Sequence, residues 1–256
     1  MRRRWSPQQP ADRTGRGGSL DRVRPPAGWA PQLAAKPRRP GPEERPLTRA
    51  FLFDIDGTLV DSAAAIERAW REVAGEFGVS ADAVLRACHG RRDVEVVDEF
   101  FEPGVRSRVL GRIAALDLGS VAAASAVPGA SGVLGGLDDG QWAAVTSGPR
   151  GLMTARLRAA GLPVPRVMVT AEDVVNGKPD PEGFLLAART LGHPPAHCVV
   201  VEDSPAGVAA GRAAGATVVG ITTTHRAADL VHADLVVEDL RGLPEVLDEF
   251  FARRDR

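Results

Sequence analysis

The sequence has no tyrosine, and aromatic residues make up only 5% of its 256 residues. Its two cysteines, Cys88 and Cys198, lie far apart and have neither a CxxC partner nor a histidine pair at zinc-binding spacing. This sparse usage argues against a disulfide framework and against a zinc site. It predicts two reduced thiols in a cytoplasmic protein.

Long apolar runs are also missing. No stretch approaches the roughly 20 apolar residues that span a bilayer. The arginines at positions 2–4 are not followed by the apolar segment of a signal peptide. We therefore expect no membrane partner, in agreement with a cytoplasmic location.

The formal net charge of −1 at pH 7 conceals two segments of opposite sign. Residues 1–50 hold 12 Lys/Arg and 4 Asp/Glu, which leaves 20 basic and 29 acidic residues in the rest. An acidic body is unlike a nucleic-acid-binding protein, which carries a basic patch. Residues 1–47 are basic, rich in Pro and Arg and without period, so we predict a disordered tail. A basic anchor for RNA or a membrane and a mis-assigned translation start are the alternatives.

From residue 48 onwards the hydrophobic pattern predicts alternating strands and helices. A first strand at residues 50–53 leads through a Gly57 turn to a helix at residues 63–77, capped by Asp61 or Ser62. Residues 80–126 predict several short helices and no convincing strand. Further strands are predicted at residues 142–145, 166–170, 198–201, 217–221 and 235–237. Further helices are predicted at residues 150–160, 181–191, 204–214 and 243–251.

Short links and Val-rich strands are typical of one fold class. They predict an α/β, Rossmann-like parallel sheet with helices on both faces. Polar residues follow four of the predicted strands. Asp54 and Asp56, Thr146 and Ser147, and Glu202 and Asp203 stand where the apolar run stops, and Lys178 lies a few residues past Thr170. Because the carboxyl ends of parallel strands meet at one rim, we expect these side chains to converge there.

These residue types suit phosphoryl transfer. Several carboxylates at one rim repel each other unless a cation lies among them, and such oxygen ligands suit Mg²⁺. The cation would also offset phosphate charge near a carboxylate nucleophile. Lys178 and a hydroxyl group could hold the equatorial phosphate oxygens. A carboxyl group two residues after the nucleophile could protonate the leaving alcohol and then activate water.

Four motifs resemble those of the haloacid dehalogenase-like hydrolase superfamily. They read FDIDGTLVDS from Phe53, VTSG from Val145, GKPDP from Gly177 and VEDSPAG from Val201. The motifs occur in order within residues 50–242, and the whole set is far more specific than one DxD. The resemblance implies an aspartyl-phosphate enzyme that uses Mg²⁺ on a small phosphorylated metabolite.

The resemblance also implies a role for each motif residue. Asp54 is the nucleophile and a metal ligand, and Asp56 is the general acid/base, which gives its backbone carbonyl to the metal. Asp203 is a further ligand, with Glu202 either on the metal or beside it. The phosphoryl group is bound by residues of the second and third motifs, namely Thr146, Ser147 and Lys178.

Residues 65–127 look like the small helical cap domain of this superfamily, inserted into a core domain of residues 48–64 and 128–256. Such a cap closes over the site and excludes water. The stretch CHGRR from Cys88 resembles the cap signature of sugar-phosphate and glycerol-phosphate phosphatases. On this resemblance Arg91 and Arg92 are candidates for substrate specificity. We expect His89 to have a structural role rather than a catalytic one. We expect a monomer or a weak homodimer.

Several other functions share parts of the pattern. Mutases of the β-phosphoglucomutase type resemble DGVxxD with a histidine five residues later; here Thr58 follows Gly57, and Ile66 stands in the histidine position. Both departures favour hydrolysis. A dehalogenase needs no acid/base, so Asp56 argues against it, and the complete motif set argues against a non-catalytic regulatory relative. An activity like that of phosphoglycolate phosphatases stays open.

Overall fold

The computed structural model describes residues 49–254, so the predicted tail at residues 1–47 lies outside the described residues. The strands are β1 (Ala50–Phe53), β2 (Val60–Asp61), β3 (Ser125–Ala126), β4 (Trp142–Val145), β5 (Met168–Val169), β6 (Cys198–Glu202), β7 (Thr217–Ile221) and β8 (Leu235–Val237). The helices are α1 (Ala63–Glu76), α2 (Ala81–Cys88), α3 (Asp93–Phe100), α4 (Arg106–Ser120), α5 (Ala130–Gly135), α6 (Arg150–Ala159), α7 (Glu182–Leu191), α8 (Pro205–Ala213) and α9 (Leu243–Arg254).

Six strands form one parallel sheet, as predicted, and their order is β5-β4-β1-β6-β7-β8. Successive residues of β1 point to opposite faces, so Leu52 packs in one hydrophobic cluster and Phe53 in another. The Phe53 cluster includes residues of α6 and α9, and the Leu52 cluster includes residues of α7 and α8. The sheet is therefore covered by helices on both faces.

Helices α1 to α4 surround a third hydrophobic cluster that includes Trp70, Val73, Val97 and Ile113. Their apolar faces pack mainly on each other rather than on the sheet. The domain boundaries at residues 65 and 127 stay a prediction. The short antiparallel pair β2–β3 joins the two chain segments that lead into and out of these helices.

The structure corrects several details of the predicted elements, and it adds β2 and α5, which were not predicted. Residues 125–126 form a strand where none was expected, because a two-residue strand is too short to show a period. The strand predicted at residues 166–170 is reduced to Met168–Val169. Helix α4 has 15 residues and is not short.

Both cysteines are free and buried. Burial raises the pKa of the Cys88 thiol to about 12 and that of Cys198 to about 11, which disfavours the reactive thiolate. Among the described residues, no helix has the length and apolar character needed to cross a membrane.

Candidate active site

The carboxyl ends of β1 and β6 place three acidic side chains together. Asp54 follows β1, while Glu202 ends β6 and Asp203 follows it; these strands are neighbours in the sheet. All three residues are at least nine-tenths buried, and each offers a carboxylate oxygen within 4.8 Å of the others. The expected convergence of strand ends therefore holds for these residues.

Lys178 lies among these carboxylates. Its Nζ donates to Asp54 Oδ1 at 2.6 Å, to Glu202 Oε1 at 2.5 Å and to the Val145 carbonyl at 3.1 Å. These three bonds use all three ammonium protons. Burial alone would lower the pKa of Lys178, but Asp54 and Glu202 outweigh it and raise the pKa. Lys178 is thus a fixed, charged donor beside the carboxylate of Asp54.

Glu202 is completely buried and both of its carboxylate oxygens have partners. Oε1 accepts from Lys178, while Oε2 accepts from the backbone N–H groups of Asp203 and Ser204, each at 3.1 Å, and from Ser204 Oγ at 3.0 Å. The first turn of α8 leaves room for it at Gly207, where an added Cβ would lie 1.8 Å from the Glu202 carboxyl carbon. Glu202 therefore holds Lys178 and the start of α8 in place.

The acidic triad has the composition of a site for a divalent cation. Three carboxylates and one ammonium group leave two negative charges uncompensated in a buried place. Burial raises the pKa of Asp54 well above its usual value although Lys178 opposes this. Burial and the Glu202 charge raise the pKa of Asp203 to about 7. A hard divalent cation with oxygen ligands would offset this charge, so the residues fit one.

Asp56 stands apart from the triad. Its Oδ1 accepts from Ser62 Oγ at 2.6 Å and from the Arg156 guanidinium at 2.8 Å, and its side chain is 20% exposed. Ser62 precedes α1 as predicted, but its hydroxyl makes no cap bond and binds Asp56 instead. The two carboxylates of the DxD motif therefore have separate surroundings.

Arg156 is a site residue that sequence reasoning missed. It lies on α6 with 2% exposure and also bonds Asp117 of α4, through Nη2 at 2.7 Å. Burial alone would lower the pKa of Arg156, but the two carboxylates outweigh it and raise the pKa. Two sequence signals were available. Arg156 shares the apolar face of α6 with Leu152 and Met153, and Asp117 falls on the buried face of α4.

The hydroxyl groups of the second motif lie next to the triad but already have protein partners. Thr146 Oγ1 accepts from the Gly148 N–H at 3.1 Å, and Ser147 Oγ donates to the Gly90 carbonyl at 2.8 Å. Gly90 has a φ of +75°, and an added Cβ there would lie 2.1 Å from Ser204 Oγ. The loop between α2 and α3 therefore packs directly against the sheet end.

A cleft opens between these elements. Its lining includes Asp54, Asp56, Thr146, Ser147 and Arg156 of the sheet side, and residues from the helical side, namely Ile66, His89, Arg91, Asp93 and Asp117. Burial and the neighbouring His225 lower the pKa of His89, whose ring lies edge-on to the His225 ring. This histidine contact was not expected from the sequence.

The two arginines after Gly90 have different surroundings. Arg91 lines the cleft and is paired with Glu99 at 2.8 Å. Arg92 pairs with Glu95 and donates to the carbonyls of residues 174 and 175, at 3.3 and 3.0 Å. Arg92 thus ties α3 to the loop before Lys178. The third motif residue Asp180 is exposed and accepts a backbone bond within its own loop.

Comparison with known proteins agrees with this geometry. Residues 48–215 match the family described as haloacid dehalogenase-like hydrolase. Hexitol phosphatase A of Escherichia coli (strain K12) is 40% identical over 200 residues, which cover 76% of this chain and 93% of that protein. A β-phosphoglucomutase of Mycobacterium tuberculosis is 34% identical, covering 76% of this chain and 91% of that one. The crystal structure of a hydrolase from Pseudomonas syringae matches with a TM-score of 0.72 and 30% identity, over 78% of this chain and 98% of that chain.

Proposed function

This chain belongs to the haloacid dehalogenase-like hydrolase family, and we propose that it is a Mg²⁺-dependent phosphatase for the phosphate monoester of a sugar or polyol. One observation carries the proposal. The buried carboxylate of Asp54 is held by Lys178 beside Glu202 and Asp203, and the separately held carboxylate of Asp56 lines the same cleft. A nucleophile and an acid/base are thus both present.

The metal would be held by Asp54, Asp203 and the backbone carbonyl of Asp56, with Glu202 on it or beside it. When bound, Mg²⁺ supplies positive charge that offsets the phosphate oxygens. Lys178 fixes the Asp54 oxygen that it bonds and supplies a further positive charge close to it. Thr146 and Ser147 stay candidates for the phosphoryl oxygens, because both line the cleft beside Asp54.

The reaction has two steps, each with one proton transfer. First, an Asp54 oxygen bonds phosphorus while the ester oxygen leaves and takes a proton from the Asp56 carboxyl group, which gives an alcohol and an aspartyl-phosphate. Then the Asp56 carboxylate takes a proton from water as the water oxygen bonds phosphorus. The bond to Asp54 breaks, inorganic phosphate leaves, and both aspartates return to their starting forms.

The helical side of the cleft favours a hydroxyl-rich leaving group. Asp93 and Asp117 line the cleft there; Asp117 is paired with Arg156, whereas Asp93 has no ion-pair partner among residues 49–254. Carboxylate oxygens accept hydrogen bonds from hydroxyl groups but repel a second anionic group. This arrangement supports sugar and polyol phosphates over phosphoglycolate, whose leaving group carries a carboxylate.

The residue at position 66 supports hydrolysis over mutase chemistry. Ile66 lines the cleft in the position where the β-phosphoglucomutase pattern has a histidine. An alkyl side chain neither donates nor accepts a proton, so it cannot assist transfer of the phosphoryl group to a second sugar hydroxyl.

The direct test measures phosphate release with Mg²⁺ from glucitol 6-phosphate, glycerol 1-phosphate, glucose 6-phosphate and phosphoglycolate. We expect turnover of the first three and little of the last. Asp54→Asn should lower turnover by ~10⁴-fold or more, because an amide does not attack phosphorus. Asp61→Asn is the matched control, since Asp61 lies in the same motif but is exposed. Multiple turnover by Asp54→Asn, free of contaminating phosphatase, would refute the mechanism.

A further inference from the structure

Arg156 is a buried charge that the mechanism above does not use. Its side chain is 3% exposed, and its two ion pairs lead to different parts of the chain. Nη1 bonds Asp56, in the loop after β1, and Nη2 bonds Asp117, on α4 of the helical segment. One guanidinium therefore spans from the acid/base to the helices that line the other side of the cleft.

The guanidinium group is suited to orient a carboxylate. It is planar, and its N–H groups point in fixed directions, so two partners bound to different nitrogens fix both the position and the rotation of the group. Asp117 holds one nitrogen, and α6 fixes the other end of the side chain. Nη1 is thereby held in a fixed position toward Asp56.

The two oxygens of Asp56 differ in their contacts. Oδ1 accepts two hydrogen bonds, from Arg156 and from Ser62. Oδ2 accepts none from residues 49–254. A carboxyl proton on Oδ1 would point at donors, so the transferable proton belongs on Oδ2. Arg156 and Ser62 together thus leave Oδ2 as the oxygen that is available to the leaving group.

We propose that Arg156 is a positioning residue, which orients Asp56 for proton transfer and links that orientation to α4 through Asp117. The inference rests on the proposed function, because it assigns Arg156 a part in protonating the leaving alcohol. An alkoxide is a poor leaving group and needs this proton, whereas a nitrophenolate departs without it. Loss of Arg156 should therefore affect alkyl phosphates far more than aryl phosphates.

The experiment compares kcat/KM for glucitol 6-phosphate and p-nitrophenyl phosphate in the full chain with Mg²⁺. The kcat/KM ratio reports the steps up to departure of the leaving group, so a later water attack does not obscure it. Arg156→Lys keeps the buried charge but cannot place two nitrogens in a fork. We expect it to lower kcat/KM for glucitol 6-phosphate by ~10–100-fold and for p-nitrophenyl phosphate by less than ~3-fold, within the range of general acid catalysis.

The control is Arg158→Lys, because Arg158 lies on the same helix with its side chain exposed. It should leave both values unchanged. Equal losses on the two substrates in Arg156→Lys would mean that Arg156 only supports the fold, and no loss would mean that Asp56 is positioned without it; either result overturns the proposal.

Asp117→Asn keeps the inference testable if Arg156 variants do not fold. It keeps the shape of the side chain and removes the charge that anchors Arg156, so we expect a loss of ~3–10-fold confined to the alkyl phosphate. Unchanged selectivity in a folded Asp117→Asn protein contradicts the link to α4. Failure of the proposed function looks different, because the wild-type protein would then release no phosphate from any alkyl phosphate.

Discussion

The two ends of the cleft are built in different ways. At the phosphoryl end, Asp54, Glu202 and Asp203 come from strand ends, and Lys178 gives all its protons to fixed acceptors. At the leaving-group end, Asp93, Asp117 and Arg156 come from helices and Arg91 from the loop between α2 and α3. Asp93 accepts no hydrogen bond from the described part of the chain. The phosphoryl group, which all substrates share, thus meets side chains whose hydrogen bonds are already made within the protein. The leaving group, which varies between substrates, meets side chains that can still form hydrogen bonds.

Metal removal is the largest expected effect and acts on the phosphoryl end alone. Excess EDTA should lower activity by ~10³-fold or more, and added Mg²⁺ should restore it. Ca²⁺ should restore little, because it takes more ligands at longer distances. Assays with glucitol 6-phosphate and p-nitrophenyl phosphate should show equal losses, since both substrates share the phosphoryl group. Full activity in chelator would contradict a metal at the acidic triad.

Single replacements of Arg91 and Arg92 should further distinguish the roles of the phosphoryl end and the leaving-group end. Arg91→Ala should lower kcat/KM for glucitol 6-phosphate by ~10–100-fold and affect p-nitrophenyl phosphate much less, because a guanidinium can bind several hydroxyls. Arg92→Ala should lower both by the same factor and reduce the melting temperature, because Arg92 bonds the loop before Lys178. The reverse pattern would mean that Arg92, not Arg91, contacts the substrate.

The smallest expected effect concerns stability and Asp93. Burial raises the pKa of Asp93 to about 7 and Asp117 adds to the rise, while Arg156 opposes it. A carboxyl group with a raised folded-state pKa stabilises the protein below its unfolded pKa, and this contribution is lost as the pH rises through about 7. From pH 4 to pH 8 the wild-type protein should lose ~1–4 kcal/mol relative to Asp93→Asn.

Urea unfolding across this pH range checks the prediction. The exposed Asp138→Asn serves as the control, because its carboxyl group lies in a surface turn. The free energy of unfolding of Asp138→Asn should change with pH as that of the wild-type protein does. If the free energies of unfolding of the wild-type protein and Asp93→Asn changed equally with pH, the charge of Asp93 would be compensated by its neighbours and the prediction would be wrong.

Much of the phosphoryl end could be predicted from the sequence. Continuous Val-rich strands predict a parallel sheet, and such a sheet brings residues after its strands to one rim whatever their separation along the chain. Lys178 and Asp54 are 124 positions apart, yet the strand pattern together with the third motif predicts both at the same edge.

The leaving-group end could not be predicted in this way. The side chains of Asp93, Asp117 and Arg156 meet through helix packing, and a helix pattern gives the buried face but not its neighbour. A charged residue on a buried face, as at Arg156, predicts a partner without identifying it. The β2–β3 strand pair was not predicted for another reason. Its stability depends on pairing between two chain segments that no local sequence pattern connects.

Gly207 carries no chemistry, yet the acidic end of the cleft depends on it. The space where its Cβ would lie is filled by the carboxyl group of Glu202, the partner of Lys178. Each of the nineteen other amino acids has a Cβ atom that would overlap this carboxyl group, so no conservative substitution exists at this position. The mutational record of such a protein should be as restricted at this glycine as at its nucleophile, although only one of the two ever touches a substrate.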